Sequence, residues 1–557
     1  MNDNTSTTAQ AEKMSDAAKL TKRWNSVDWE KAEAAVNRLQ ARIAKATQEK
    51  NWNTVKRLQY LLTHSYYAKL LAVRKVTTNK GKNTSGVDKE LWSTPASKMR
   101  AVLSLTDKGY KASPLRRVYI DKKGKKAKRP LGIPTMYDRA MQALYALALD
   151  PVAEVTADKH SFGFRKGRCT QDACEYIFAN LCRKASAEWV LEGDIKGCFD
   201  NISHDWLIRN IPMDKSILKQ FLKAGFVFKG DLFPTDDGTP QGGVISPILA
   251  NMALDGLEKA LSDRFHTNRL GKVDIRFKNA HKVNLVRYAD DFIITAATEE
   301  IALEAKALAR DFLKTKGLEL SEEKTLITHI DDGFDMLGWT FRKFKGKLII
   351  KPSKKSLKAF KAELSETILK RGKAWSQEVL IQRLNQQIRG WTNYHQSVCA
   401  SEAFAHIDYI LYELLWRWAK RRHPHKGRWW VSTKYWHRKG NRNWVFRTEN
   451  KELLRVDHIS IVRHTRVRMD ANPYLDHEYF AKRKVEHGMK RLSGRFKQIW
   501  RNQNGCCYHC GQAMDTSEDR EIFFKTPKSM GGRDEVPNMA YVHRHCQLLF
   551  LDRRSKE

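Results

Sequence analysis

Val286-Arg287-Tyr288-Ala289-Asp290-Asp291-Phe292-Ile293-Ile294 places two adjacent acids in the middle of an apolar, β-prone run. The pattern predicts a strand, a tight turn and a second strand, with both carboxylates at the turn. Two uncompensated charges between buried flanks are costly, so a cation is their natural partner. An Asp-Asp turn in an ordinary hairpin explains the tetrapeptide equally well. The two readings are separated by a second segment, Trp189-Val190-Leu191-Glu192-Gly193-Asp194, which again ends an apolar run on an acid. Two Mg²⁺ ions about 4 Å apart, clamping the attacking and leaving oxygens of a nucleotidyl transfer, need carboxylates from more than one segment. Asp194, Asp290 and Asp291 supply three. Asp200 reads instead as a cap or surface turn, because Asn201-Ile202-Ser203-His204 leads into a helix.

Outward from these segments, short β-like and helical runs alternate from Trp189 to Thr340, which indicates an α+β body. Upstream, LRRVYIDKKGKKAKRPLGIP (115–134) predicts a hairpin turning at Lys123-Gly124, with many cations at its tip. DRAMQALYALALDPVAE reads as a helix, and residues 29–75 repeat apolar residues at three- and four-residue intervals, as basic amphipathic helices do. TTNKGKNTSGVDKE breaks that pattern as a loop, and residues 1–25 read as a disordered leader. After Lys351 the pattern is helical and basic through ELLWRWAKRRH; a Trp- and Arg-rich tract follows to about Arg495, then a Cys/His-containing tail.

A chain of 557 residues is too long for one ordinary core, so several modules are expected. Lys and Arg number 101 against 63 Asp and Glu, a net charge of +38 spread along the whole length. A polyanion must neutralise much of that, and nucleic acid is the expected partner. A membrane is not, since the charges form no single cluster or amphipathic helix and no run approaches the roughly 18 apolar residues of a span. With a polar N-terminus, the expected location is intracellular: a bacterial cytoplasm or nucleoid. Of nine Cys, Cys506, Cys507, Cys510 and Cys546 lie near the C-terminus, which suits metal binding better than a disulfide framework. His160-Ser161-Phe162-Gly163-Phe164-Arg165-Lys166-Gly167-Arg168 reads as a close-approach loop whose cations, Arg165 and Arg168 among them, would bind RNA phosphates.

Taken with Pro240-Gln241-Gly242-Gly243-Val244-Ile245-Ser246-Pro247, the two acidic segments resemble the palm of reverse transcriptases. The resemblance extends over nearly the whole chain after the leader to group II intron-encoded proteins. HSYYAKLLAVRKVTTNKGKNTSGVD resembles their N-terminal extension, and Ile381-Gln382-Arg383-Leu384-Asn385-Gln386-Gln387-Ile388-Arg389-Gly390-Trp391-Thr392-Asn393-Tyr394-His395 their thumb, or maturase, domain. It implies a right-hand polymerase: a helical extension at 26–92, fingers and palm at 93–345, a helical thumb at 346–420, a DNA-binding region at 421–500 and a small zinc module at 501–557. Asp194, Asp290 and Asp291 would hold Mg²⁺, and Phe199 would gate against a 2′-hydroxyl. Arg129 with Lys122 or Lys123 would clamp the triphosphate, while Gln241 and Gly242 would approach the nascent pair. Lys324 would assist the leaving pyrophosphate or stand as a surface Lys. Phe334-Asp335-Met336-Leu337-Gly338-Trp339 resembles the primer-gripping turn and as bare sequence reads equally well as core. In the thumb, Arg383, Arg389 and Trp391 would touch RNA; the dense Asn, Gln and Arg around Leu384 and Ile388 favour RNA contact over a plain core helix. The Trp/Arg tract around Arg421, Trp429, Trp430, Trp436 and Trp444 resembles the DNA-binding region.

In the tail, Cys507, Cys510 and Cys546 have zinc-module spacing, with His509, His543 or His545 as a fourth ligand. Glu521 to Gly532, then Asn538 and His543, resemble an HNH endonuclease, but Phe523 and Phe524 stand where that family has a His pair and Gln547 where it has a further His. Phe can neither take a proton nor bind metal, so poor DNA nicking or none is expected. The partners implied are intron RNA, target DNA and dNTPs, and the activity is RNA-templated DNA synthesis. The alternatives are a splicing-only RNA-binding maturase, or a host-adopted reverse transcriptase without an intron. The sequence leaves the oligomeric state open.

Overall fold

The computed structural model describes residues 16–121, 128–266, 279–490, 492, 494–511, 514, 520–543 and 546–547. They fall into two compact units, the first drawn from Met1–Cys169, Leu191–Ile327 and Val467–His477, the second from Thr170–Val190, Thr328–Arg466 and Glu478–Glu557.

The first unit begins with helices. Residues 16–25 are helical rather than part of a disordered leader, because Leu20 and Trp24, four apart on one face, pack on the core. Helices Trp29–Gln48 and Trp52–His64 start where Asp28 and Asn51 accept from the backbone N–H of Lys31 and Thr54. With Tyr66–Thr78 they surround the helix Met136–Thr156, whose Ala- and Leu-rich sequence is buried on nearly every side. One apolar core runs from Val36, Leu62 and Val73 through Leu144 to Leu191, Phe292 and Leu313, so these helices have no core separate from the sheet that carries the acids.

Strands follow in chain order: β1 (Leu115–Asp121), β2 (Lys128–Ile133), β3 (Trp189–Asp194), β4 (Phe226–Phe228), β5 (Asp231–Phe233), β6 (Asn284–Tyr288), β7 (Asp291–Ala296) and β8 (Leu326–His329). They form two four-stranded sheets, in the orders β2-β1-β4-β5 and β6-β7-β3-β8. The expected basic hairpin is β1–β2, with Ile120 opposite Arg129 and Asp121 opposite Lys128. Lys122 and Lys123 lie outside the described residues. In the second sheet β6 and β7 are antiparallel and Tyr288 pairs with Asp291, leaving Ala289-Asp290 as a two-residue turn. A short segment from the expected DNA-binding region, Val467–His477, also belongs to this unit; Tyr474 is buried there and its hydroxyl donates to Asp150.

The second unit holds β9 (Phe334–Met336), β10 (Trp339–Phe344) and β11 (Lys347–Pro352), an antiparallel sheet in the order β11-β10-β9. Helices Lys354–Glu366, Gln377–His395 and Ser401–Arg422 follow, with a π-turn at Thr367–Arg371. Next come the helix Arg428–Tyr435 and the hairpin β12 (Trp436–Lys439) and β13 (Arg442–Phe446). The tail pairs β14 (Arg520–Phe524) with β15 (Met539–His543) over a small core containing Ile499, Trp500, Phe523 and Tyr541. Among the described residues no helix is long and apolar enough to cross a membrane.

Candidate active site

Asp194 is the last residue of β3, and Asp290 and Asp291 occupy the β6–β7 turn. A close contact fixes how near the two segments lie: a Cβ on Gly193 would sit 2.2 Å from the ring of Phe292. The residue before Asp194 and the residue after Asp291 are therefore in contact, so the two segments that carry the three acids end side by side at one end of the sheet. Their charge is felt nearby, since burial and the Asp290 carboxylate push the Cys198 thiol up to about 12. Lys324 ion-pairs with Asp194, its ammonium lying where the acids favour a cation. The sequence left Lys324 between pyrophosphate assistant and surface residue; its described contact is this one. Hard carboxylate oxygens, half-buried at Asp194 and Asp290 and exposed at Asp291, are of the kind that suits Mg²⁺.

The turn is held from below by a network to which the sequence reading gave no role. Ala289 adopts a left-handed backbone (φ 59°), and the guanidinium of Arg287, fully buried, donates to Ala289 O (3.3 Å) and Asn251 Oδ1 (3.1 Å) and ion-pairs with Asp255. Burial pushes the Asp255 carboxyl up to about 7 against the opposing pull of Arg287. Asn251 Nδ2 in turn donates to Gly163 O (2.8 Å). At Gly163 a Cβ would come within 2.3 Å of Ala289 N, so only glycine lets the 160–168 loop lie against the acidic turn. The signal was an Arg inside an apolar strand, which a buried carboxylate must answer.

That same loop corrects an expectation. Arg165 and Arg168 do not face outward to phosphates: both side chains are buried against Glu154, Arg165 in a two-pronged pair (2.8 and 2.9 Å) and Arg168 at 2.6 Å. Arg165 also donates to the carbonyls of Asp158 and Ser161, each at 2.7 Å. A buried carboxylate with two guanidinium partners leaves neither cation for RNA. Phe164 of this loop is exposed, and its ring meets the half-buried ring of Phe199 edge-on at 6.3 Å. Phe164 was overlooked because the cations around it drew the reading.

The Gln-Gly-Gly segment is also engaged within the protein. Thr239 N donates to Phe199 O (2.6 Å), Gln241 Nε2 to Asp200 Oδ2 (3.0 Å), and Gly132 N of β2 to Gln241 O (2.8 Å). Gly242 is left-handed (φ 112°), and a Cβ there would meet Gly132 O at 2.8 Å. The close approach that demands glycine is therefore to β2, and through it the hairpin carrying exposed Arg129 is tied to the loop beside Phe199.

Residues 120–341 match the family described as reverse transcriptase (RNA-dependent DNA polymerase), residues 24–105 the N-terminal domain of reverse transcriptase, and residues 357–436 the group II intron maturase-specific domain. Protein YkfC of Escherichia coli (strain K12) is 31% identical over 301 residues, 48% of this chain and 78% of that protein. The chain belongs to the group II intron reverse transcriptase family. Group II intron-encoded protein LtrA of Lactococcus lactis subsp. cremoris is 34% identical over 359 residues, covering 54% of this chain and 59% of LtrA. The match thus spans about three fifths of that relative. Maturase-like protein 1 of Euglena gracilis is 25% identical over 381 residues, 66% of this chain and 76% of its own length.

In the maturase-domain match of this intron-protein chain, Arg383 and Arg389 are exposed on the helix Gln377–His395. Trp391 is not offered to a ligand. It stacks on Phe360 (4.8 Å between ring centres) and donates to Ser356 Oγ (3.3 Å). Several amides expected on RNA also serve the fold: Asn385 bonds Glu452 O (2.8 Å) and Leu454 N (2.8 Å), and Gln387 bonds Thr367 Oγ1 (2.9 Å). Nearby His395 is buried, which lowers its imidazole to about 4. Of the Trp tract, Trp429 is 76% exposed and Trp444 58%, while Trp436 is buried.

In the tail, Cys507, Cys510, Cys546 and His543 bring their ligand atoms within 4.8 Å of one another. His543 Nδ1 lies 3.4 Å from Cys510 Sγ and 3.8 Å from Cys546 Sγ. Hydrogen bonds from Cys510 and Cys546 lower the Cys507 thiol, favouring its thiolate. Three sulfurs and an imidazole fit a tetrahedral soft-metal site. His543 is thus drawn into the cluster instead of keeping an endonuclease position, because its backbone sits on β15 directly beside Cys507, whose sulfur is 3.4 Å from His543 N. His509 rests against Phe523, with ring centres 4.8 Å apart, and His545 is outside the described residues. Asn538 accepts from Thr526 N (2.8 Å) and donates to the carbonyls of Thr526 (3.0 Å) and Arg533 (2.9 Å), which makes it a brace for the 526–538 loop.

Proposed function

We propose that this chain is an RNA-directed DNA polymerase that binds a group II intron RNA, helps it splice and copies it into DNA at a target site. The observation that carries the reading is the convergence of Asp194 with the Asp290-Asp291 turn at one end of a sheet, beside Phe199. A pure RNA binder has no use for a cluster of carboxylates facing a polyanion. The family membership and the likeness to an intron-encoded protein and a maturase-like protein support the intron partner.

Asp194, Asp290 and Asp291 would hold two Mg²⁺ ions, which when bound supply charge neutralisation at the attacking 3′-oxygen and the leaving pyrophosphate. Phe199, backed by Phe164 and anchored through Phe199 O to Thr239, excludes a 2′-hydroxyl from the sugar position. Exposed Arg129 on β2 would meet triphosphate charge together with Lys122 or Lys123. Arg383 and Arg389 present charge to RNA from an otherwise packed helix. Gln241 and Gly242 set the spacing between β2 and Phe199, so their influence on nucleotide binding runs through that loop.

Primer extension on an RNA template tests the reading, with dNTPs and ribonucleotides run separately. The wild type is expected to extend with dNTPs only. Phe199→Ala should keep extension with dNTPs and relax discrimination against ribonucleotides by about a hundredfold, the size of effect a steric pocket can exert on one hydroxyl. No extension by the wild type would leave a splicing factor.

For the tail we propose a structural Zn²⁺ held by Cys507, Cys510, His543 and Cys546, in a module that does not nick DNA. Phe523 is buried in the tail core and cannot activate water. So small a core needs a staple. Purified protein should contain about one zinc per chain, and removing it with a chelator should open residues 494–547 to proteolysis while the polymerase unit stays protected. A tail equally resistant with and without metal would refute the site.

A further inference from the structure

The second unit contains a cavity of about 600 Å³ where the helix Ser401–Arg422 ends against the π-turn and the helix Arg428–Tyr435. That volume lies in the range of sites for small ligands, roughly 300–1,000 Å³. Trp418 and Tyr435 form its apolar wall, and Lys373, Arg421, Arg422 and Lys434 line it with no Asp or Glu among the lining residues. Cations at a helix C-terminus also answer the helix dipole, and that accounts for Arg422. Its guanidinium donates to the carbonyls of Lys373 (2.9 Å) and Trp375 (3.1 Å) and lies over Trp418 at 4.7 Å. It does not account for Lys373, which follows the π-turn; Lys434 stands in the last turn of its own helix yet lines the same cavity, and among the described residues no ion pair is made by Lys373, Arg421 or Lys434.

Beside the cavity stands an aromatic platform. His423 lines the wall and hydrogen-bonds Tyr435 (2.8 Å), and the Trp430 ring meets it at 4.7 Å. The ammonium groups of Lys434 and Lys426 lie over Trp430 at 4.8 and 5.5 Å, yet 38% of Trp430 remains exposed. Desolvation, then Lys434, Arg422 and Lys426, hold His423 below its ordinary value, which shows how unbalanced the positive charge is. Converging cations without a counter-charge, next to an exposed indole, suit a phosphate ester carrying a planar base.

We infer that this cavity is a binding site for one unpaired nucleotide of a nucleic-acid strand, its phosphate met by Lys373, Arg421 and Lys434 and its base stacked at Trp430. A base within a duplex cannot reach such a pocket without leaving its stack, so the site selects single strands. The inference rests on the proposed nucleic-acid function but does not follow from it.

The test uses the full chain and a short unstructured labelled RNA, its DNA counterpart and a blunt duplex, with affinity measured across a salt series. Lys373→Gln/Lys434→Gln should bind the single strands about tenfold more weakly, with a salt slope reduced by about one, and bind duplex as the wild type does. Trp430→Leu should lose the indole quenching that single strands cause. Lys314→Gln, an exposed change in the first unit, controls for lost charge, and unchanged melting curves confirm that the variants fold. Whichever single strand binds more tightly identifies the source of the nucleotide. If the double variant loses no more than Lys314→Gln, the site is overturned. If the wild type binds neither single strands nor duplex, the proposed function itself fails.

Discussion

Asp290→Asn is expected to abolish RNA-templated DNA synthesis while leaving the protein folded and RNA binding unchanged. The carboxylate stands at the tip of a two-residue turn, half-exposed, where the backbone is already set by Arg287 and the 160–168 loop. An amide of the same shape fits that turn. What it cannot do is carry the charge that holds a divalent cation against the transferring phosphate, a contribution of several kcal/mol. At about 1.4 kcal/mol per factor of ten, extension should fall about a thousandfold or more. Removing one of three mutually repelling acids costs no stability, so the melting temperature should hold or rise slightly. Primer extension, melting and RNA affinity measured on one preparation decide the matter. Retained synthesis would show that the Asp290 carboxylate is not part of the metal site; loss of folding together with activity would make its role structural.

This expectation could be formed from the residues alone, and the reason is local. Two acids inside an apolar strand–turn–strand fix their own position, since the strand period sets the faces and the turn must take the polar pair. The β1–β2 hairpin and the Cys-x-x-Cys of the tail were legible on the same ground. Partners across the chain were not. Arg165 and Arg168 read as free cations because nothing nearby in the sequence announces that Glu154 will be buried between them. Trp391 read as an RNA contact because its own stacking partner, Phe360, lies on a different helix. Leu20 and Trp24 were taken into the disordered leader because two apolar residues in a polar stretch carry little weight until a core exists to receive them. His543 could not be told from His509 or His545 as a ligand, since only the pairing of β14 with β15 turns one imidazole to the sulfurs.

The least legible feature has the largest structural effect. Arg287→Met should destabilise the first unit by about 3–5 kcal/mol, the usual cost of stranding one member of a buried ion pair. Arg287 is fully buried, and its loss leaves Asp255 without its cation and Ala289 O and Asn251 without a donor. The pH dependence gives the mechanism a signature. Burial already raises the Asp255 carboxyl from 3.8 to about 7, so its proton favours the folded state fully below about 3.8 and that favour is lost as pH rises through about 7. Without Arg287 the opposing pull disappears and the carboxyl rises further, so the variant's deficit should be greater at pH 8 than at pH 6. Arg287→Met/Asp255→Asn should recover much of the stability, because no buried charge is then left alone. Polymerase activity is expected not to recover with it, since the donor that Arg287 supplies to Ala289 O at the left-handed turn is then missing. Urea denaturation at the two pH values, with hydrogen exchange followed across β6 and β7, reads both effects. A deficit independent of pH would trace the loss to packing volume, and a double variant that regains activity along with stability would show that Arg287 acts on the fold and not on the acidic turn.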